Sequence, residues 1–271
     1  MSKKVIFHNP PVVETVLGAQ FSRLSAYRTA HAGVFWKSYL DASEWPTIAE
    51  AIRVDDQFER FGEERMWGPL GGMRLLTSIE AQRTQFTSAD QHRMIQIQDS
   101  RFLYNWQKAG TEEAYATFDN TKPAFTKLYS DFRKFSESSG LGQIEENQWE
   151  ITYINHITKG ELWNRPEDWN SIFPWFNFPK TIEAAPDTVR SEWSLVIPEN
   201  RGRLYVNVAL ARTSIGGPET LIVTMSARGP VSPKTSESVS VGLEIGHDFI
   251  VRSFRAMASR KALDFWELDE G

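Results

Sequence analysis

Gln148-Trp149-Glu150-Ile151-Thr152-Tyr153-Ile154-Asn155-His156-Ile157 is the stretch whose reading decides the fold. Trp149, Ile151, Tyr153 and Ile157 fall on one side of an extended chain; Glu150, Thr152, Ile154 and His156 fall on the other. Alternation carried by aromatic and β-branched residues is what a strand covered on one face requires. Val13-Glu14-Thr15-Val16-Leu17, near the N-terminus, echoes it. The echo suggests a chain built twice from one kind of unit.

Before this strand, Phe125, Leu128, Phe132 and Phe135 mark an amphipathic helix. Thr121 is its expected N-cap, Pro123 sits near the first turn, and Gly140 and Gly142 stop it. Short strands are expected over 73–79, 82–87, 93–98 and 102–108, after the punctuation of Gly68-Pro69 and Gly71-Gly72 and with a tight turn at Asp99-Ser100. The first unit opens with a strand over 12–21, led in by Asn9-Pro10-Pro11, because proline cannot donate a ladder hydrogen bond. A helix over 25–40 follows from the spacing of Ala32, Phe35, Trp36, Tyr39 and Leu40. Residues 41–67 read as a long surface connection with room for one short helix.

Beyond the organising strand, 160–186 is rich in tryptophan, asparagine and proline and suits short helical turns. Strands are expected over 189–197, 203–211 and 219–227. A final helix over 241–258 carries Leu243, His247, Ile250, Phe254 and Met257 on one stripe, and a short turn ends near Trp266. The order strand, helix, antiparallel strands, helix thus occurs twice, with a boundary between Gly142 and Asn147. The expected fold is α+β: two tandem units, 1–142 and 143–271, closely packed as one, with the sheet against long helices. The topology is TATA-binding-protein-like and helix-grip-like, and topology alone supplies no function.

Net charge is −5, so no global basic field exists and nucleic acid is an unlikely partner. The chain has no cysteine, which excludes disulfides, thiolate catalysis and Cys-ligated metals and fits a cytoplasmic location. The first residues lack the apolar core of a signal peptide, and no apolar run reaches the length of a membrane span, so no membrane partner is expected. Ten tryptophans are many for 271 residues and suit either a core or a recognition surface.

Several stretches together resemble one family. They are Asn9-Pro10-Pro11-Val12-Val13-Glu14, the 31–36 segment with Gly33 and Phe35-Trp36, 94–98 followed by Arg101-Phe102-Leu103-Tyr104-Asn105-Trp106, the 147–157 strand, and the 247–257 helix. The chain resembles a sporadically distributed family of uncharacterised bacterial proteins. The resemblance implies a single unit in a bacterial cytoplasm and transfers no activity, cofactor or catalytic residue. Patchy distribution of this kind goes with mobile elements, toxin–antitoxin pairs or phage defence.

No phosphate-binding loop, dinucleotide fingerprint, zinc-protease helix or nucleophile elbow is present. His8, His31, His92, His156 and His247 are widely separated, so a metal site would need several to converge, and none is expected. Asn155-His156 is the first pair of interest. Strand parity puts Asn155 on the side of Trp149 and Tyr153, where a buried amide needs partners. It would tie down a neighbouring loop or line a pocket. Arg101, Asn105 and Trp106 raise the same question: Tyr104 and Trp106 share one face, and Arg101, Leu103 and Asn105 the other. That polar face would be solvent surface, or would hold an anion. Arg252, Arg255, Arg260 and Lys261 complement the dipoles of the last helices or an anionic partner. Glu63-Glu64 and Glu112-Glu113 read as solvated charge.

These residues support three expectations. The first is a non-enzymatic interaction protein, with no cofactor, that presents the aromatic segments 45–67 and 163–175 to another protein or a second copy of itself. The second is a small-ligand-binding module of helix-grip type. The third is a nuclease-like toxin using His156 or His92.

Overall fold

The computed structural model describes residues 5–62, 82–110, 115–177, 184, 186, 188–212 and 215–269. In chain order the elements are β1 (Ile6–Phe7), β2 (Val12–Phe21), α1 (Thr29–Tyr39), β3 (Thr47–Ala51), β4 (Arg83–Thr87), β5 (Arg93–Gln98), β6 (Arg101–Gln107) and α2 (Phe118–Ser138). Then come β7 (Glu146–Thr158), a 3-10 turn (Pro166–Ser171), β8 (Val189–Ile197), β9 (Gly202–Arg212), β10 (Glu219–Pro230), α3 (Ser236–Met257), α4 (Arg260–Phe265) and β11 (Leu268–Asp269).

The fold is α+β. One antiparallel sheet of nine strands runs β3-β4-β5-β6-β2-β7-β10-β9-β8, and β1 pairs with β11 apart from it. The organising strand, β7, is central, paired to β2 on one side and to β10 on the other. Directly opposed residues share a face, so Phe102, Ala19 and Trp149, aligned across β6, β2 and β7, all look the same way. The long helices cover that face. Phe102 meets Phe125, Tyr129 and Phe132 of α2 at 5.4–6.1 Å, and Phe35 of α1 packs edge-on to Phe132 and Phe135.

Trp149 explains how α3 lies so close to the sheet. A Cβ on Gly242 would come 2.1 Å from the indole, and one on Gly246 would come 2.6 Å from it. The two glycines, one helical turn apart, form the notch that takes this ring.

The boundaries depart from the pattern in physically simple ways. α2 begins one turn before Thr121: Thr117 is the N-cap, and Thr121 and Pro123 lie inside the helix. The Phe118 ring stacks flat on His247 at 4.1 Å, and its burial draws the extra turn into the helix. The end is as expected. Gly140 has φ +69°, Leu141 N–H donates to Ser136 O, and Gly140 N–H donates to Glu137 O. α1 starts at Thr29 rather than at 25, where Arg28 N–H donates to His31 Nδ1 at 2.9 Å. Within 41–62 there is an edge strand, β3, and no helix. The strand expected over 73–79 lies outside the described residues, as do Trp67, Glu63-Glu64 and Glu112-Glu113. Among the described residues no helix is long and apolar enough to cross a membrane.

Candidate functional site

The sheet face away from the helices is polar, yet it is not solvent surface. Arg101 and Asn105 are buried on it, contrary to the expectation of an open polar surface. Gln85 donates to Gln96 at 3.1 Å, Gln96 to Asn105 at 2.7 Å, and Asn105 to Glu14 at 2.6 Å, a one-way amide chain across four strands. Arg101 donates to Glu150, to Gln20 and to the Asp55 carbonyl.

Residues 52–62, between β3 and β4, run across this face as a strap. The strap has no regular secondary structure, so its backbone polar groups need other partners. Gln98 and Gln20 each supply both kinds, since an amide offers one donor group and one acceptor, and Gln148 also donates to the Gln57 carbonyl. Gln98 accepts from Val54 N–H at 3.0 Å and donates to Val54 O at 2.8 Å. Gln20 does the same for Gln57, at 2.9 Å both ways. Glu59 then reaches β9 and β10, where it accepts from Arg203 at 3.0 Å, Tyr205 at 2.6 Å and Arg228 at 2.6 Å. Burial alone would raise the Glu59 pKa, but these three donors outweigh it and hold the carboxyl below its usual range.

On the helix face the molecule keeps a cavity of about 180 Å³. It lies between α3, the first turn of α2 and strands β7 and β10, and β1 forms part of its wall. Val12, Met225, Ile250 and Phe254 make it apolar, and Tyr115, Tyr153, Asn155, His247 and Asp119 supply its polar groups. The Tyr153 hydroxyl lies 2.8 Å from His247 Nδ1, and Tyr115 also interacts with that hydroxyl. Burial, followed by Tyr115, pushes the Tyr153 phenol well above its ordinary pKa, so it stays protonated. Asn155 donates from Nδ2 to the Val223 carbonyl on β10 at 3.0 Å. It lines a pocket and bonds a neighbouring strand rather than a loop.

The five residues singled out from sequence therefore do not form one site. Asn155 lines the cavity. Trp106 is on the same face, edge-on to Tyr115 at 5.4 Å. Arg101 and Asn105 lie under the opposite face. His156, half-buried with its pKa lowered by burial, lines a separate polar cleft with Lys108 and Lys159. Among the described residues no group of three or more His, Asp or Glu side chains is placed to hold a metal ion.

His247 was visible in the sequence as the polar member of an apolar helical stripe, but nothing there named its partner. Tyr115 lies in an irregular connection and carried no signal. Three tryptophans of the aromatic segments, Trp45, Trp163 and Trp169, are buried, whereas Trp175 is 42% exposed. No protein-family model matches the chain, and no curated protein sequence matches it.

Proposed function

We propose that the protein is a small-ligand-binding module and that the cavity beside Tyr153, Asn155 and His247 is its binding site. The observation that carries this reading is an apolar chamber with a few convergent polar groups, the usual composition of a ligand site. We also propose that the chain is a tandem duplication with TATA-binding-protein-like and helix-grip-like topology. What supports it is the strand order. Outward from the β2–β7 pair the sheet reads β6, β5, β4 on one side and β10, β9, β8 on the other, and α2 and α3 follow β6 and β10. On that reading the cavity sits where the two units meet.

The test is thermal unfolding of the full chain with a panel of small apolar compounds. A true ligand at one hundred times its Kd is expected to raise Tm by about 5 °C. Val251 lines both the cavity and the cleft beside it. Val251→Trp is expected to abolish the rise. A panel in which no compound stabilises the wild-type chain more than Val251→Trp sinks the reading.

A second reading, association with another protein or a second copy, keeps one specific observation. Exposed Trp175 packs edge-on to Trp193 of β8 at 4.7 Å, beside the exposed Leu195 and Val196. Among the described residues β8 ends the sheet, and a strand edge with apolar side chains is a template for pairing. Sedimentation velocity would report it: a concentration-dependent dimer lost in Val196→Lys supports this reading, and a monomer at all concentrations removes self-association.

A further inference from the structure

We propose that the cavity selects a compact, neutral, mostly apolar molecule of benzene-to-indole size that carries one hydrogen-bond donor, and that Asn155 Oδ1 receives that donor. This rests on the ligand-binding reading above and adds what the ligand must be.

Size comes first. A dry apolar cavity of about 150 Å³ takes benzene, and this one is about 180 Å³. The chamber itself thus fits a single ring or a small fused pair, and it adjoins a cleft with which it shares Phe118, His247 and Val251.

Polarity follows from the hydrogen bonds already made. The Val223 carbonyl can only accept, so the atom of Asn155 that meets it must be the NH₂ group. Oδ1 is thereby fixed as the other end of the amide. Asn155 is 2% exposed, and among the described residues no donor reaches Oδ1. Oδ1 is therefore an acceptor on the cavity wall that a ligand N–H or O–H can meet.

The neighbouring groups point the same way. The Tyr153 hydroxyl shares a hydrogen bond of 2.8 Å with His247 Nδ1 on the lining. Asp119, in the first turn of α2, places a carboxyl group on the lining. The Asn155 acceptor favours a phenol, an indole or a short alcohol, and the Asp119 carboxyl group disfavours a carboxylate.

The experiment uses the full chain labelled with ¹³C at the methionine methyls. Met225 is buried and lines the cavity, so its methyl resonance, assigned with Met225→Leu, reports occupancy. Indole is titrated against indene, which has the same shape without the N–H, and phenol against benzoate. The expected result is a shifted Met225 signal with indole bound about tenfold tighter than indene, the ratio expected of one buried donor–acceptor pair. Phenol is expected to bind tighter than benzoate, and Asn155→Leu to bring indole and indene together.

Equal binding of indole and indene would leave the cavity as a ligand site but overturn the role of Asn155. Benzoate binding tighter than phenol would overturn the donor rule. If none of the four moves Met225, the ligand-binding reading itself fails. Should Asn155→Leu not fold, the indole-to-indene ratio on the wild-type chain decides alone.

Discussion

Trp149 is the residue on which the helix layer depends, and its neighbours set the tolerance. Gly242→Ala would drive a methyl into the indole, which backs onto the sheet. The expected cost is about 2 kcal/mol, as for other overpacked cores, measured by urea unfolding. A variant as stable as wild type would show that α3 can lift away.

Glu59 makes the pH prediction. Its carboxyl is 3% exposed and its folded pKa is lowered, so its contribution is present above the unfolded value and is lost as pH falls through the folded one. Wild-type stability should therefore fall from roughly pH 4.5 downward. Glu59→Gln should lose about 3 kcal/mol at neutral pH, because Arg203 and Arg228 are left without their carboxylate. It should also show a flatter acid limb. Denaturant midpoints at pH 7 and pH 4 decide it.

At this scale parity was legible. The alternation in 148–157 placed Asn155 beside Tyr153 and His156 on the other face. Burial on the polar face was not, because no local pattern says that a distant segment will lie over it.

At the scale of elements, the strap is the clearest case of structure without secondary structure. Gln98 and Gln20 present both halves of an amide to a passing backbone, as a neighbouring strand would. Val54 and Gln57 N–H groups should therefore exchange slowly with solvent deuterium, and Gln20→Ala should speed exchange at the Gln57 N–H, whose acceptor it removes, while leaving the β2–β7 ladder protected. Rapid exchange at both positions in the wild type would mean that the strap is not seated.

The strands and long helices were readable because each carries apolar residues at its own period: two in β7, nearer four in α2 and α3. β3 was missed because all but its last residue are exposed, so Thr47–Ala51 has no alternation to read. The strap's anchors were missed for a related reason. The Gln-Ile-Gln pattern of β5 spells a polar face, but its partners lie 44 residues away in sequence.

At the scale of the whole molecule, the two proposed units share one sheet. Splitting the chain at 142 would strip β2 of β7 and leave each piece with a long unpaired central edge. Each piece expressed alone should aggregate, and co-expression should restore a soluble complex; a monomeric, folded 1–142 piece would argue against a shared core. The succession of strands and long helices was legible as rhythm. The cavity was not, because it is assembled from β1, β7, β10, α2 and α3.

β1 walls the cavity through Ile6 and Phe7, and its strand partner is β11, at Leu268 and Asp269. A ribosome releases the residues of β1 early and those of β11 some 260 residues later. Until then this wall has no strand to hold it. Occupancy of the cavity would accordingly mark a chain whose synthesis has passed β11, so nascent chains stalled before Leu268 should bind weakly even with the whole nine-stranded sheet in place.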